Sequence, residues 1–214
     1  RPFPCVPTPS AFAPRGPRVV FADVDPRPLN RAPADVARRV TPRTRAVVAV
    51  HYAGVAVDAQ AVVAAAPGAT LVEDNAHGLF GAWQGRPLGS LLSCGEGGAL
   101  VVNDPELAER AEIVREKGTN RARFFRGQDD KYTWVELGSS YLPSDLLAAG
   151  LVAQLEAPPA IQRARHQVWA RYHAELAPWA ACHGVQQPHL PAGAEHPAHL
   201  YWLRARDLAA RTAL

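Results

Sequence analysis

Asp74 and His77 stand three residues apart, directly after an apolar run from Ala69 to Val72 that reads as a buried strand. Glu73 precedes Asp74, so this strand ends in two carboxylates. In an open α/β sheet, ligands bind outside the carboxyl ends of the strands. A carboxylate there can hold the protonated ring nitrogen of a cofactor by charge pairing, and a histidine one turn on can reach the same ring. The same residues also suit a plainer arrangement, in which Asp74 caps the following turn and His77 is a satisfied structural histidine.

The flanking elements decide what could position such a pair. Residues 18–24 form an apolar run closed by Asp25-Pro26, and residues 45–50 form another that ends at His51-Tyr52-Ala53-Gly54. A helix over 33–40 opens on Pro33, and one over 58–66 has Asp58 as N-cap. Residues 98–102 read as a strand entered from Gly95-Glu96-Gly97-Gly98, followed by a helix over 105–116 and a loop over 118–127. An apolar helix over 142–155 is interrupted by Pro158-Pro159, and an amphipathic helix over 161–176 carries Trp169 and Tyr172. Strands alternating with helices predict an α/β fold with a mainly parallel sheet and right-handed crossovers. The proline-rich residues 1–17 are expected to be irregular.

A chain of 214 residues, 48% of them hydrophobic, is long enough for one large domain, or for one domain and part of another. No run of 18 apolar residues reads as a membrane span, and no signal peptide is visible. Cys5, Cys94 and Cys182 are widely spaced and odd in number, which predicts neither a disulfide framework nor a metal site and fits a reducing cytoplasm. A net charge of +3, nearly all from arginine, concerns solubility rather than nucleic acid. Lysine occurs only at 117 and 131. The chain has no methionine and starts at Arg1, which points to a fragment or to a sequence from which residues are missing.

Several stretches, in this order, carry a family resemblance. They include Val20-Phe21-Ala22-Asp23-Val24, Thr41-Pro42-Arg43-Thr44-Arg45, His51-Tyr52-Ala53-Gly54-Val55-Ala56 and Glu73-Asp74-Asn75-Ala76-His77. Gly85-Arg86-Pro87-Leu88-Gly89, Gly95-Glu96-Gly97-Gly98, Arg115-Glu116-Lys117-Gly118-Thr119-Asn120-Arg121 and Gly138-Ser139-Ser140-Tyr141-Leu142 follow. Together they resemble the DegT/DnrJ/EryC1/StrS family of sugar aminotransferases. That resemblance implies the aspartate-aminotransferase (fold-type I) architecture and pyridoxal 5'-phosphate as cofactor. It implies transfer of an amino group, from glutamate, to a keto-sugar nucleotide such as a dTDP-4-keto-6-deoxyhexose, within cell-surface polysaccharide or secondary-metabolite sugar biosynthesis. It divides the chain into a cofactor-binding large domain over 1–155 and the start of a small domain over 156–214, incomplete at both ends.

Residue by residue, Asp74 matches the family's partner of the pyridine nitrogen, whose proton the electron-sink chemistry requires. His77 matches a position near the ring's phenolic oxygen. Ser140 matches a residue that reaches the cofactor phosphate of the neighbouring subunit, which implies a homodimer with shared active sites. Arg121, Arg123 and Arg126 suit the diphosphate of a nucleotide sugar, because guanidinium pairs bidentately with phosphate, and Phe125 or Phe124 could stack on its base. Nucleic acid and a merely solvated loop are the other readings of this Arg/Phe cluster. His199 matches a further nucleotide-site position. The sequence departs from the family at both ends, at Pro197 before His199, and most severely where the segment expected to hold the lysine that binds the cofactor covalently is reduced to Ser90-Leu91-Leu92-Ser93-Cys94. No catalytic residue is therefore assigned, and the other reading is a non-catalytic homologue that keeps the fold as a binding or scaffold partner.

Overall fold

The computed structural model describes residues 7–88 and 97–214. The chain divides into two compact units, one formed by Arg1–Gly89 with Pro159–Leu214 and the other by Ser90–Pro158.

In the first unit, a single helical turn, α1 (Pro7–Ser10), precedes α2 (Pro33–Arg39), which opens on Pro33, where a missing N–H costs nothing. Strand β1 (Ala46–Val50) pairs in parallel with β2 (Thr70–Asp74), with Val50 opposite Asp74. Parallel neighbours need a crossover, and α3 (Ala59–Ala65) supplies it. Asp58 caps α3 as its sequence position predicts, accepting from the Ala61 N–H. Val36 packs with Ala22 and Ala66 against Val47, and Val62 packs with Ala49 and Val57. Full burial of a valine side chain contributes about 1.5–3 kcal/mol, so these two residues anchor α2 and α3. A small antiparallel sheet joins β3 (Ala82–Trp83) to β4 (Arg86–Pro87) on one side and to β5 (Ala194–Glu195) on the other.

The second unit holds α4 (Pro105–Arg115), α5 (Arg121–Phe125) and α6 (Asp145–Leu155). Asp104 and Ser144 cap α4 and α6. The long helix α7 (Pro158–His183) begins at the unit boundary and runs past its expected end, with Pro178 inside it. Beyond that proline, Ala180 is buried and Trp179 stacks on His183 at 5.0 Å, so packing carries the helix on. The chain closes with α8 (Leu208–Thr212).

Three expectations are corrected. Residues 18–24 form no strand; they make one bridge, Val24 to Arg31, and leave Val20 and Phe21 exposed. Residues 98–102 form none either, and Leu100 is exposed. A strand is stabilised by hydrogen bonds along its length, and among the described residues the first run has only that one bridge and the second has none. The expected loop over 118–127 contains α5, which ion pairs to α4 hold in place.

Candidate functional site

Adjacent residues of a strand point to opposite faces, so Glu73 and Asp74 diverge at the end of β2. Glu73 meets His51, whose Nε2 lies 3.0 Å from its Oε1. The His51 Nδ1 accepts from the Val57 N–H at 3.0 Å, which leaves Nε2 to donate to the carboxylate. That hydrogen bond holds the Glu73 carboxyl below its ordinary pKa, against an opposing effect of burial. The pair ties the segment after β1 to the end of β2.

Asp74 lies on the other side. Its Oδ1 accepts from the Ala76 N–H at 3.2 Å, and its Oδ2 accepts from the Thr8 hydroxyl at 2.6 Å. Asp74 thus caps the turn after β2, and it also offers a carboxylate to a partner brought from the start of the chain.

His77 follows in that turn. Its Nδ1 accepts from the Ala53 N–H at 3.3 Å, which places the proton of the neutral ring on Nε2. The ring stacks on His199, with centroids 4.4 Å apart and planes 17° from parallel, and Tyr52 meets it edge-on at 5.9 Å. Burial pushes the His77 imidazole below its ordinary pKa, while the Asp74 charge opposes that shift. Burial lowers His199 too, and the charges of His77 and Arg165 add to the effect.

Two features that sequence reading missed hold this cluster together. Asn30 is buried, donates from Nδ2 to Val55 O at 2.9 Å and to Ala56 O at 2.8 Å, and accepts from the Tyr52 N–H at 3.0 Å. It thereby fixes the loop that carries Ala53. Gly54 has a φ of +81°, and a Cβ there would lie 2.5 Å from the Pro197 ring and 2.7 Å from the His77 carbonyl oxygen. Pro197 can pack this closely only on a glycine, and that contact sets the segment bearing His199. No pattern in the sequence marks Asn30; Gly54 lies inside a quoted motif, but its partner is distant.

In the second unit, the arginines predicted to meet phosphate are paired with carboxylates. Arg121 lies 3.2 Å from Glu116 and 5.2 Å from the centre of the exposed Phe125 ring. Arg123 bridges Glu109 at 2.5 Å and Asp129 at 3.1 Å, and Arg126 reaches Glu112 at 2.7 Å. These partners raise the pKa values of Arg123 and Arg126, first through hydrogen bonds. Ser140 is exposed and sits in a backbone bridge with Glu116. The structure therefore brings Asp74, His77 and His199 together in one unit and Arg121, Arg123, Phe125, Arg126 and Ser140 together in the other.

The residues at Asp74 fit the ring of pyridoxal phosphate on one side. A carboxylate stands at the strand end beside two neutral imidazoles, a donor set suited to a protonated ring nitrogen and to aromatic stacking. The two lysines of the chain, Lys117 and Lys131, both belong to the second unit. Residues 90–94, where the lysine is expected, lie outside the described residues and contain none. Among the described residues, no cluster of His, Cys, Asp or Glu could hold a metal ion, and no helix is long and apolar enough to cross a membrane.

Comparison with known proteins gives one consistent result. The model of the DegT/DnrJ/EryC1/StrS aminotransferase family matches residues 3–214. The chain is 31% identical over 206 residues to the spore coat polysaccharide biosynthesis protein SpsC of Bacillus subtilis, covering 88% of this chain and 52% of that protein. It is 29% identical over 215 residues to dTDP-4-dehydro-2,3,6-trideoxy-D-glucose 4-aminotransferase of Saccharopolyspora spinosa, covering 91% of this chain and 55% of that one. The chain thus spans about half the length of the curated relatives it matches. Among solved structures, a sugar aminotransferase of Micromonospora echinospora matches with a TM-score of 0.84 at 28% identity, over 99% of this chain and 62% of its own. An aminotransferase of Streptoalloteichus hindustanus matches equally well, with a TM-score of 0.84 at 32% identity, over 98% of this chain and 59% of its own.

Proposed function

Because the chain belongs to the DegT/DnrJ/EryC1/StrS aminotransferase family, whose members use pyridoxal phosphate, we propose that it serves the transfer of an amino group to a keto-sugar nucleotide. The donor in this reading is glutamate, and the product feeds polysaccharide or secondary-metabolite sugar synthesis; one relative is named for spore coat polysaccharide biosynthesis. The single observation that carries it is Asp74, placed at the end of β2 beside the stacked His77 and His199. When bound, pyridoxal phosphate supplies an electron sink. The chain's own part is to hold and protonate the ring. Asp74 would keep the proton on the ring nitrogen, His77 would donate from Nε2 toward a ring oxygen, and His199 would back the His77 imidazole. Arg121, Arg123 and Arg126 take the substrate diphosphate, Phe125 takes its base, and Ser140 serves the phosphate of a second subunit in a homodimer.

A second reading rests on one specific observation, the absence of lysine from residues 90–94, where the family resemblance expects it. In it, the chain binds the cofactor ring without covalent attachment and acts as a non-catalytic partner. Titration of pyridoxal phosphate, followed by quenching of tryptophan fluorescence, tests the shared part. Saturable binding that weakens at least ten-fold in Asp74→Asn supports the Asp74 assignment, since loss of a charge partner costs well over 1.4 kcal/mol. Equal affinity in both proteins refutes it. Borohydride reduction followed by mass measurement separates the two readings: a stable adduct on a lysine supports attachment, and an unmodified chain supports the non-covalent reading.

A further inference from the structure

Two alanines of the first unit lie in the left-handed region of backbone space, which is unfavourable for a residue with a Cβ. Ala53 has a φ of +57° and Ala198 a φ of +51°, and both are buried. They flank one close contact: Ala53 precedes Gly54, Ala198 follows Pro197, and Pro197 packs on Gly54. Each alanine has its N–H held by an imidazole. Ala53 donates to His77 Nδ1 at 3.3 Å, and Ala198 donates to His196 Nδ1 at 3.2 Å. An imidazole nitrogen accepts only while it carries no proton, and a protonated ring is a donor on both sides. The two strained alanines are therefore held by two neutral histidines.

The segment held in this way carries His199. Pro197 is fully buried on Gly54, and beyond it Leu200 and Trp202 pack with Ala53 and Leu29. Before it, the His196 ring lies against α7, 4.4 Å from Trp169 and 5.1 Å from His166 between ring centres. The charges that act on His196 come from His166 and His173 of α7, and both oppose a proton on it. The exposed Glu195 precedes it on β5, and the paired strand β3, Ala82–Trp83, brings no titratable side chain. At His77, by contrast, the Asp74 carboxylate favours the protonated ring, while His199, itself under the charge of Arg165, stacks on it. His196 is thus the more acid-sensitive of the two holders.

We propose that His196 is a positioning residue, which acts through Ala198 and Pro197 to set His199 on His77, and that with His77 it forms a latch opened by protonation. A proton on His196 turns its Nδ1 from acceptor to donor against the Ala198 N–H and places a charge beside His166 and His173. The left-handed Ala198 then loses its only listed support, Pro197 lifts from Gly54, and His199 leaves His77. Burial pushes the His196 pKa down to about 4 in the closed form, and release returns it toward 6.5. The open form therefore binds the proton more tightly, and opening should be favoured about ten-fold or more at pH 5 relative to pH 7.5. The mechanics of the latch do not involve a cofactor; only the consequence, that acid strips His199 from the face beside Asp74, rests on the reading proposed above.

The test is amide hydrogen exchange followed by NMR on the full chain at pH 7.5 and 5, expressed as protection factors. In wild type, the Ala198 amide should lose protection about ten-fold or more at pH 5, and it should be less protected than the amides of β1 and β2. His196→Asn offers Oδ1 as an acceptor that does not titrate, so Ala198 should keep its protection at both pH values. His196→Phe offers no acceptor, and Ala198 should be weakly protected at both. An Ala198 protection factor that is the same at the two pH values in wild type overturns the proposal. So does an equal loss in His196→Asn, or protection equal to that of β1 and β2, since the segment then opens only when the unit unfolds. If either variant fails to fold, the wild-type comparison decides alone, and none of these outcomes depends on whether pyridoxal phosphate binds.

Discussion

The hydroxyl of Thr8 donates to Oδ2 of Asp74 at 2.6 Å, across 66 residues of sequence. It occupies one of the lone pairs that a ring N–H would use. Thr8→Val removes this donor and keeps the side-chain volume. We expect the affinity for pyridoxal phosphate to rise about ten-fold or more, since one hydrogen bond to a charged group, worth about 1.5–3 kcal/mol, no longer has to be exchanged. Fluorescence titration of wild type, Thr8→Val and the double variant Thr8→Val/Asp74→Asn measures it. If the gain persists in the double variant, Thr8 does not act through Asp74.

The His77–His199 stack makes a prediction about titration. Positive charge on His77 is one of the causes that hold His199 below its ordinary pKa. His77→Phe keeps a flat ring against His199 and removes the charge, so the His199 pKa should move up toward the ordinary imidazole value of 6.5. NMR titration of the imidazole carbon-bound protons reads this directly. An unchanged or lower value would show that burial alone governs His199.

Gly54 and Gly68 form a matched pair for a stability test. Both have a φ of +81°, but a Cβ at Gly68 meets nothing within 4 Å, whereas one at Gly54 strikes Pro197 and the His77 carbonyl. Gly68→Ala should cost about 1 kcal/mol for the left-handed backbone alone. Gly54→Ala adds overpacking and should cost about 2–4 kcal/mol. Urea denaturation compares them, and equal losses would show that the Pro197 segment is free to move off Gly54.

Acid should weaken the first unit through His196. Burial, followed by the charges of His166 and His173, lowers its pKa to about 4 from the ordinary 6.5. Between those values the unfolded chain binds more protons than the folded one, so stability rises with pH across this window and is lost as pH falls from about 6.5 toward 4. Trp169 meets His196 at 4.4 Å, so its fluorescence follows the same region. In His196→Phe, this part of the pH dependence of the urea midpoint should flatten. An unchanged slope between pH 4 and 6.5 would assign the effect to other groups.

The sequence makes legible what local chemistry decides. The apolar runs at β1 and β2, the proline at the start of α2 and the Asp58 cap are short-range signals, and each appears where its residues place it. Asp74 and His77 are legible because a strand end, two acids and a histidine coincide within five residues. What escapes depends on distant partners. The run at 18–24 has strand composition but, among the described residues, bonds a neighbour only at the Val24–Arg31 bridge. The Arg-Ala-Arg-Phe-Phe segment becomes α5, rather than a loop, where Arg123 and Arg126 meet acids of α4 fourteen residues away. Asn30, Thr8 and Pro197 act through contacts with distant parts of the chain, and no spacing announces them. The His51–Glu73 pair was within reach, since the parallel register that sets Val50 opposite Asp74 also brings the two strand ends together.

The arginine–carboxylate pairs of the second unit carry a consequence for recognition. Arg121, Arg123 and Arg126 each already hold an acid, so a diphosphate arriving there enters a partner exchange rather than a vacant charge. Its affinity is then the difference between two ion pairs, and the displaced Glu109, Glu112 and Glu116 remain nearby as repelling neighbours. Such an exchange releases few counterions, so binding should depend only weakly on ionic strength, unlike capture of phosphate by free arginines. Selectivity follows from geometry instead: only an anion that offers more than one bidentate face can outcompete carboxylates that are already in place.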